Sequence, residues 1–302
     1  MPLIVALGKV DEDLVRDALG PDLHLVSQPS EADFAAAAGA IVRAAYTVDA
    51  ALLASMPNLR VIARTGVGTE RVDVEAARAL GIPVVITPGS NTGAVAEGVL
   101  ALALGLLKRL SPLTNLVREG HWDDRDQLPL GDLDGATCGI IGYGRIGKRV
   151  AALMQAFGAR VIAFDPFTQI PDELRADSLE ELVAASSVIT LHVPLTSQNE
   201  GMFNSAMFAR CKPGTVLINC SRGPLINLNA AQDALESGIL GGLGLDVFDE
   251  EPAPHHPVFD HPNVLLTPHV MGLSIKAATQ TYLDAAAGIR DVLEGRTPKA
   301  VA

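Results

Sequence analysis

The chain has 302 residues, 48% of them hydrophobic and 19% charged, with a formal net charge of -12. Such a length points to two domains, and the apolar content excludes a disordered chain. The acidic balance disfavours nucleic acid or an anionic membrane as a partner, because both call for clustered Lys and Arg; a small anion needs only one cationic pocket.

The opening "MPLIVALGKVDED" has no basic segment and turns acidic at once, so no signal peptide is expected. "LIVAL" reads as a strand, with a helix from about Glu12. "AIVR", "RVIAR" and "PVVIT" read as further strands, separated by helical "VDAALLAS" and "VDVEAARAL". A long helix begins near Thr92 and runs through "AVAEGVLALALGLLKRL". Its most apolar run, Val99 to Leu107, has about half the length of a membrane span and reads as a buried core helix. After Gly120 comes the polar loop "HWDDRDQLPLGDLDGA". Then "TCGIIG", "RVIAFD", "SVITLHV", "TVLINC", "GGLGLDV" and "NVLLTPH" read as six strands, and the segment 273–293 is helical again. Strands alternating with helices indicate βαβ units and parallel sheets. Cys138, Cys211 and Cys220 lack C-x-x-C spacing and are odd in number. Reduced thiols in a cytoplasmic protein are expected, with no metal site.

The block 98–272 is a complete α/β unit. The terminal helix is too short to fold alone, so 1–97 and 273–302 are expected to form the other domain. A chain that crosses twice between domains places a cleft there, a common position for a small-molecule site.

"GIIGYGRIG" supplies Gly142, Gly144 and Gly147 in G-x-G-x-x-G spacing, directly after an apolar strand and opening a helix. The first glycine permits a tight turn, the second lets backbone approach a pyrophosphate, and the third lets helix pack on strand. Asp165 ends the next strand, about 20 residues on, where an acid bonds the ribose hydroxyls of NAD and repels the extra phosphate of NADP. The fold class expected is therefore α/β with two doubly wound parallel-sheet domains: a central Rossmann NAD-binding domain inserted in a flavodoxin-like substrate domain.

In open α/β sheets, ligands bind at the carboxyl ends of the strands. "LINC" leads to Arg222, "LGLDVFDEEP" carries Asp246 and Glu251, and "VLLTPH" ends at His269. Each alone reads equally as a turn or loop residue. Together they are the groups that hydride transfer to a 2-keto acid needs. Arginine holds a carboxylate and polarises the adjacent carbonyl, histidine gives a proton to the developing alkoxide, and a carboxylate orients that histidine and favours its protonated form.

The segments "RTGVGTERVDVEAARALGIPV", "SNTGAVAE", "CGIIGYGRIG", "LHVPLT", "INCSRG", "LDVFDEEP" and "LLTPH" together resemble the D-isomer-specific 2-hydroxyacid dehydrogenase family over nearly the whole chain. The resemblance implies Arg222, Glu251 and His269 as the catalytic trio. It implies NAD contacts from Gly142, Gly144, Arg145, Ile146, Gly147 and Asp165, from the loop His192–Val193–Pro194, from Cys220, Ser221, Arg222 and Asp246, and from His269 and Gly272. His192 has no catalytic part in this reading, nor do His255, His256, His261, Asp249 or Glu250. The backbone of Gly66, Val67 and Gly68 is expected to cap the substrate carboxylate, beside Arg222 and His269. Trp122 is expected in a dimerisation arm, although ordinary burial explains it as well, and a homodimer is anticipated. Asn227 and Met271 depart from the common pattern, the first without touching a catalytic role and the second near the site.

Arg43 ends the strand "AIVR". It reads either as a surface arginine or, by resemblance to phosphoglycerate relatives, as a contact for a substrate phosphate. The length leaves no room for the C-terminal regulatory domains some of those relatives carry, so no serine feedback site is expected. Glyoxylate or hydroxypyruvate reduction is the enzymatic alternative. A corepressor-like NAD-sensing module is the alternative of another class, disfavoured because no flanking tails are present.

Overall fold

The structure, a computed structural model, describes residues 1–43 and 46–302. It forms two compact units, Met1–Asn91 with Leu273–Ala302, and Thr92–Gly272. The first division thus lies before Thr92 rather than at 97/98. The reason is that Thr92–Leu107 is one helix, whose Val95, Val99, Leu102 and Leu106 belong to the core of the second unit. Dividing that helix would expose side chains worth roughly 1.5–3 kcal/mol each in burial.

The first unit holds five parallel strands: β1 Leu3–Leu7, β2 His24–Val26, β3 Ala37–Val42, β4 Val61–Arg64 and β5 Val84–Val85. Their order is β2-β1-β3-β4-β5, the flavodoxin-like arrangement. The helix Ile275–Leu293 covers one face, placing Tyr282, Ala285 and Ile289 against Ile4, Ile41 and Val61. The sequence reading did not anticipate β2 or the helix Glu31–Ala36. The strand order reverses between β1 and β3, and Gly8 and Arg43 follow those two strands.

The second unit holds six parallel strands: β6 Thr137–Ile141, β7 Arg160–Phe164, β8 Val188–Leu191, β9 Thr215–Asn219, β10 Leu240–Leu245 and β11 Val264–Leu266. These are the six read from the sequence, in the order β11-β10-β9-β8-β6-β7. The third strand of the usual 3-2-1-4-5-6 order is reduced to one parallel bridge, Arg175 to Ala163 of β7. The long helix does not run through to Leu110 as read. It stops at Leu107, Arg109 turns left-handed at φ 50°, and a second helix spans Leu110–Glu119. Pro112 explains the break, because proline is tolerated in a first helical turn but costs a hydrogen bond and a clash in a helix interior. Among the described residues no helix is long and apolar enough to cross a membrane.

Candidate active site

The turn between β6 and the helix Arg145–Ala156 carries the three glycines. Gly142 has φ 93°, and a Cβ there would lie 2.6 Å from the His192 carbonyl oxygen. A Cβ on Gly147 would lie 2.0 Å from the carbonyl oxygen of Gly142. At Gly144, the residue before the helix, a Cβ would meet nothing within 4 Å. Two glycines thus seat the helix on the strand, and the middle one leaves open space before the amides of Arg145 and Ile146. That is the cradle a pyrophosphate requires.

Asp165 follows β7 and accepts from the backbone amides of Tyr143 (2.8 Å), Phe167 (2.9 Å) and Thr168 (3.1 Å). Partial burial pushes its carboxyl up, but these donors and the Thr168 hydroxyl outweigh burial and hold it below its ordinary range. It stays an anion at the edge of the glycine turn. His192 follows β8, with Nε2 3.1 Å from Thr190 Oγ1. Burial pushes its imidazole down to about 3, so it is neutral and no acid at physiological pH. Burial and then the charge of Asp246 push the Cys220 thiol well up, which leaves no nucleophilic thiolate. The Ser221 hydroxyl donates to the Val193 carbonyl, tying the turn after β9 to the loop 192–194.

The ends of β9, β10 and β11 bring Arg222, Glu251 and His269 into the same unit, on three adjacent strands. His269 Nδ1 lies 2.7 Å from Glu251 Oε2. The other Glu251 oxygen accepts from the Phe248 amide at 3.1 Å, which fixes the carboxylate. A carboxylate only accepts, so Nδ1 carries a proton toward it and Nε2 is left to exchange one with a ligand. Arg222 is half-buried and donates through Nη1 to the Ser221 carbonyl at 2.7 Å. A cavity of about 360 Å³ adjoins the imidazole–carboxylate pair, walled by Phe248, Pro252, Phe259, Leu266 and Pro268.

Asp246 is 2% exposed, and its carboxylate accepts from the Thr267 hydroxyl and from the Val270 and Met271 amides. Asn219, given no role in the sequence reading, is fully buried and bonds both Ser221 and Arg222. The signal was a polar side chain closing an otherwise apolar strand, a position that costs free energy unless satisfied. Gly272 is the last residue of this unit.

The other substrate candidates belong to the first unit. Arg43 packs its Cβ near Gly8 and sets its guanidinium 5.8 Å over the Tyr282 ring, a cation–π contact. Gly66 has φ 138°, and its amide is already given to Thr87 Oγ1 at 2.8 Å and to the Arg64 carbonyl at 2.9 Å. Of that loop, the amides of Val67 and Gly68 are left as candidate carboxylate donors.

A family model described as "D-isomer specific 2-hydroxyacid dehydrogenase, NAD binding domain" matches residues 100–271. The chain belongs to this dehydrogenase family. It is 38% identical over 306 residues to the D-3-phosphoglycerate dehydrogenase of Mycobacterium leprae (strain TN), an alignment covering 99% of this chain and 56% of that one. The chain thus spans little more than half the length of that curated relative. A solved structure from Thermus thermophilus superposes with a TM-score of 0.88 at 34% identity, covering 100% of both chains. The NADPH-dependent glyoxylate/hydroxypyruvate reductase of Sinorhizobium meliloti superposes with a TM-score of 0.88 at 27% identity, covering 100% of this chain and 98% of that one.

The second unit matches an NAD-binding domain, and the glycine cradle and Asp165 fit NAD. Asp165→Asn should therefore weaken NAD binding and relax the bias against NADP. Comparable kcat/KM with both cofactors in the parent would remove the role given to Asp165. The same change has an acid-side signature. A carboxyl held low in the folded chain contributes stability that is full above the unfolded value of about 3.9 and lost as the pH falls through the folded value. Asp165→Asn should delete that component from a Tm-against-pH curve.

Proposed function

We propose that the chain catalyses hydride transfer between NAD(H) and a small D-2-hydroxy acid or its 2-keto acid. The 2.7 Å bond between His269 Nδ1 and Glu251 Oε2, with Arg222 at a neighbouring strand end of the same unit, carries this reading. When bound, NADH supplies the hydride. Arg222 binds the substrate carboxylate and draws electron density from the adjacent carbonyl. His269 delivers the proton from Nε2 to the carbonyl oxygen as it becomes an alcohol. Glu251 keeps the ring oriented and stabilises the charge it carries. In the opposite direction His269 takes that proton back. Oxidation of NADH with a panel of small 2-keto acids, extended to phosphohydroxypyruvate, tests this. Turnover with none of them would favour an NAD-sensing binding protein instead.

We assign 3-phosphoglycerate as the preferred substrate, with glyoxylate or hydroxypyruvate reduction as the alternative. The similarity to a D-3-phosphoglycerate dehydrogenase and the position of Arg43 at the strand-order reversal support the first. The cation–π contact with Tyr282 holds the guanidinium at that position. Arg43→Ala should then raise KM for a phosphorylated substrate much more than for glyoxylate. Equal effects on both would leave Arg43 as a surface residue and shift the assignment to the alternative.

We assign the chain to the cytoplasm as a homodimer. Three free cysteines are in keeping with a reducing compartment. The helix Leu110–Glu119 and the turn after it expose Leu110, Val117 and Trp122, the last at 62%, an apolar arm suited to a second copy. Sedimentation of the parent as a monomer at micromolar concentration would exclude the dimer.

A further inference from the structure

The helix Thr92–Leu107 meets β10 and β11 through an exchange of glycines and large side chains. Gly98 and Gly105 stand about two turns apart on the helix and so share one face. A Cβ on Gly105 would lie 2.9 Å from Leu265 Cδ1 of β11. A Cβ on Gly98 would lie 2.4 Å from Met271 Sδ, 2.7 Å from its Cγ and 2.8 Å from its Cβ. In return, Leu102 and Leu106 of the helix cover Gly244 and Gly242 of β10, where a Cβ would come within 3.2 and 3.1 Å of them. The two helix glycines differ in what they meet. Leu265 reaches Gly105 with the end of a flexible side chain, which can turn away. Met271 meets Gly98 down to its own Cβ, so no rotation of the side chain would clear an added methyl, and the backbone at 271 would have to move. Two residues before Met271 stands His269. Its amide donates to the Thr267 carbonyl at 3.0 Å, and its φ is 54°, a left-handed conformation that such a residue adopts only when its surroundings impose it.

We propose that Met271 is a positioning residue for His269, a peg whose socket is Gly98 on the helix Thr92–Leu107. The inference rests on the reading of His269 as the proton donor. The helix is a fixed part of the second unit, because Val95, Val99, Leu102 and Leu106 are buried in its core. Seating Met271 on it carries that rigidity to the turn that presents the imidazole. Glu251 then orients the ring through Nδ1, and the peg sets where the ring stands. Positions 98 and 271 are complementary in volume. A small residue at 271 would leave the socket empty, and a larger residue at 98 would expel the peg. The departure from the common pattern at Met271 therefore acts on the placement of the proton donor.

The test uses the full chain and four measurements: kcat and KM for a 2-keto acid that the parent reduces, NADH affinity, and Tm. Gly98→Ala should lower kcat by up to about 10²-fold, the scale of a 1 Å misplacement, with KM and NADH affinity kept. Met271→Ala should lower kcat in the same way, and the volume-conserving Met271→Leu should restore it. The decisive variant is the double change Gly98→Ala with Met271→Ala, in which the added methyl occupies space the peg has vacated. Its kcat should exceed that of Gly98→Ala alone. Leu265→Ala is the control for general loosening: it removes the neighbouring contact on the same helix face and should lower Tm with kcat held. If Gly98→Ala does not fold, the comparison of Met271→Ala, Met271→Leu and Leu265→Ala still decides. Parent-like kcat in folded Gly98→Ala or Met271→Ala would overturn the proposal. So would equal losses of kcat in Met271→Ala and Leu265→Ala, or weakened NADH binding with kcat preserved at saturating cofactor. His269→Ala is run beside these: full turnover in it sinks the underlying reading, whereas its loss of turnover with unaffected Met271 variants sinks only this inference.

Discussion

His269→Ala is expected to lower the turnover of keto-acid reduction by about 10²–10⁴-fold, the usual worth of a positioned general acid, while NADH still binds. The ring is half exposed and its Nδ1 is engaged with Glu251, so its removal leaves the glycine cradle and Asp165 untouched. The loss should appear in kcat, because the proton is needed only as the alkoxide forms. Arg222→Ala should instead damage both kcat and KM, since on the proposed function that group meets the carboxylate in the ground state and the carbonyl in the transition state. Steady-state kinetics together with NADH titration by protein fluorescence separate these patterns. Undiminished turnover in His269→Ala would remove the proposed chemistry.

Gly147→Ala should lose cofactor binding and stability together. The added Cβ would sit 2.0 Å from the carbonyl oxygen of Gly142, a backbone atom with no rotamer to change. Either the helix Arg145–Ala156 lifts from β6 or the turn at Gly142 opens. Overpacking of this kind costs about 1–3 kcal/mol, often more when backbone must move. The helix N-terminus would also leave the place where the pyrophosphate is held. A lowered Tm with NADH binding abolished is expected. Gly144→Ala is the control: its Cβ meets nothing in the free protein, so Tm should hold while NADH affinity falls. Parent-like Tm and affinity in Gly147→Ala would mean that the helix is not seated as described.

Much of this was legible in the sequence. The strands of the second unit are apolar runs bounded by glycine and polar turns, so β6 to β11 could be read directly. Gly142, Gly147 and Asp165 follow from the strand–turn–helix context, and the strand-end rule gathers Arg222, Glu251 and His269 without any contact being known. What escaped is local or tertiary. β2 has three residues, too few for an alternation to register. The break at Arg109 depends on Pro112 and on the bond from Arg109 Nη1 to the Gly241 carbonyl, a partner far along the chain. The hydrogen bonding of Asp246 also depends on tertiary placement, since its donors lie more than twenty residues away.

His269, Glu251 and Arg222 all belong to the second unit, whereas Arg43 and the loop Gly66–Gly68 belong to the first. On the proposed reading, chemistry and choice of substrate are therefore encoded in separable stretches of chain. Mutations that alter Arg43 or its neighbours leave the three strand ends of β9, β10 and β11 intact. Such an arrangement lets a lineage explore new acids without rebuilding its proton transfer. Exchange of the first unit between relatives should move substrate preference while retaining the pH dependence and cofactor choice of the second.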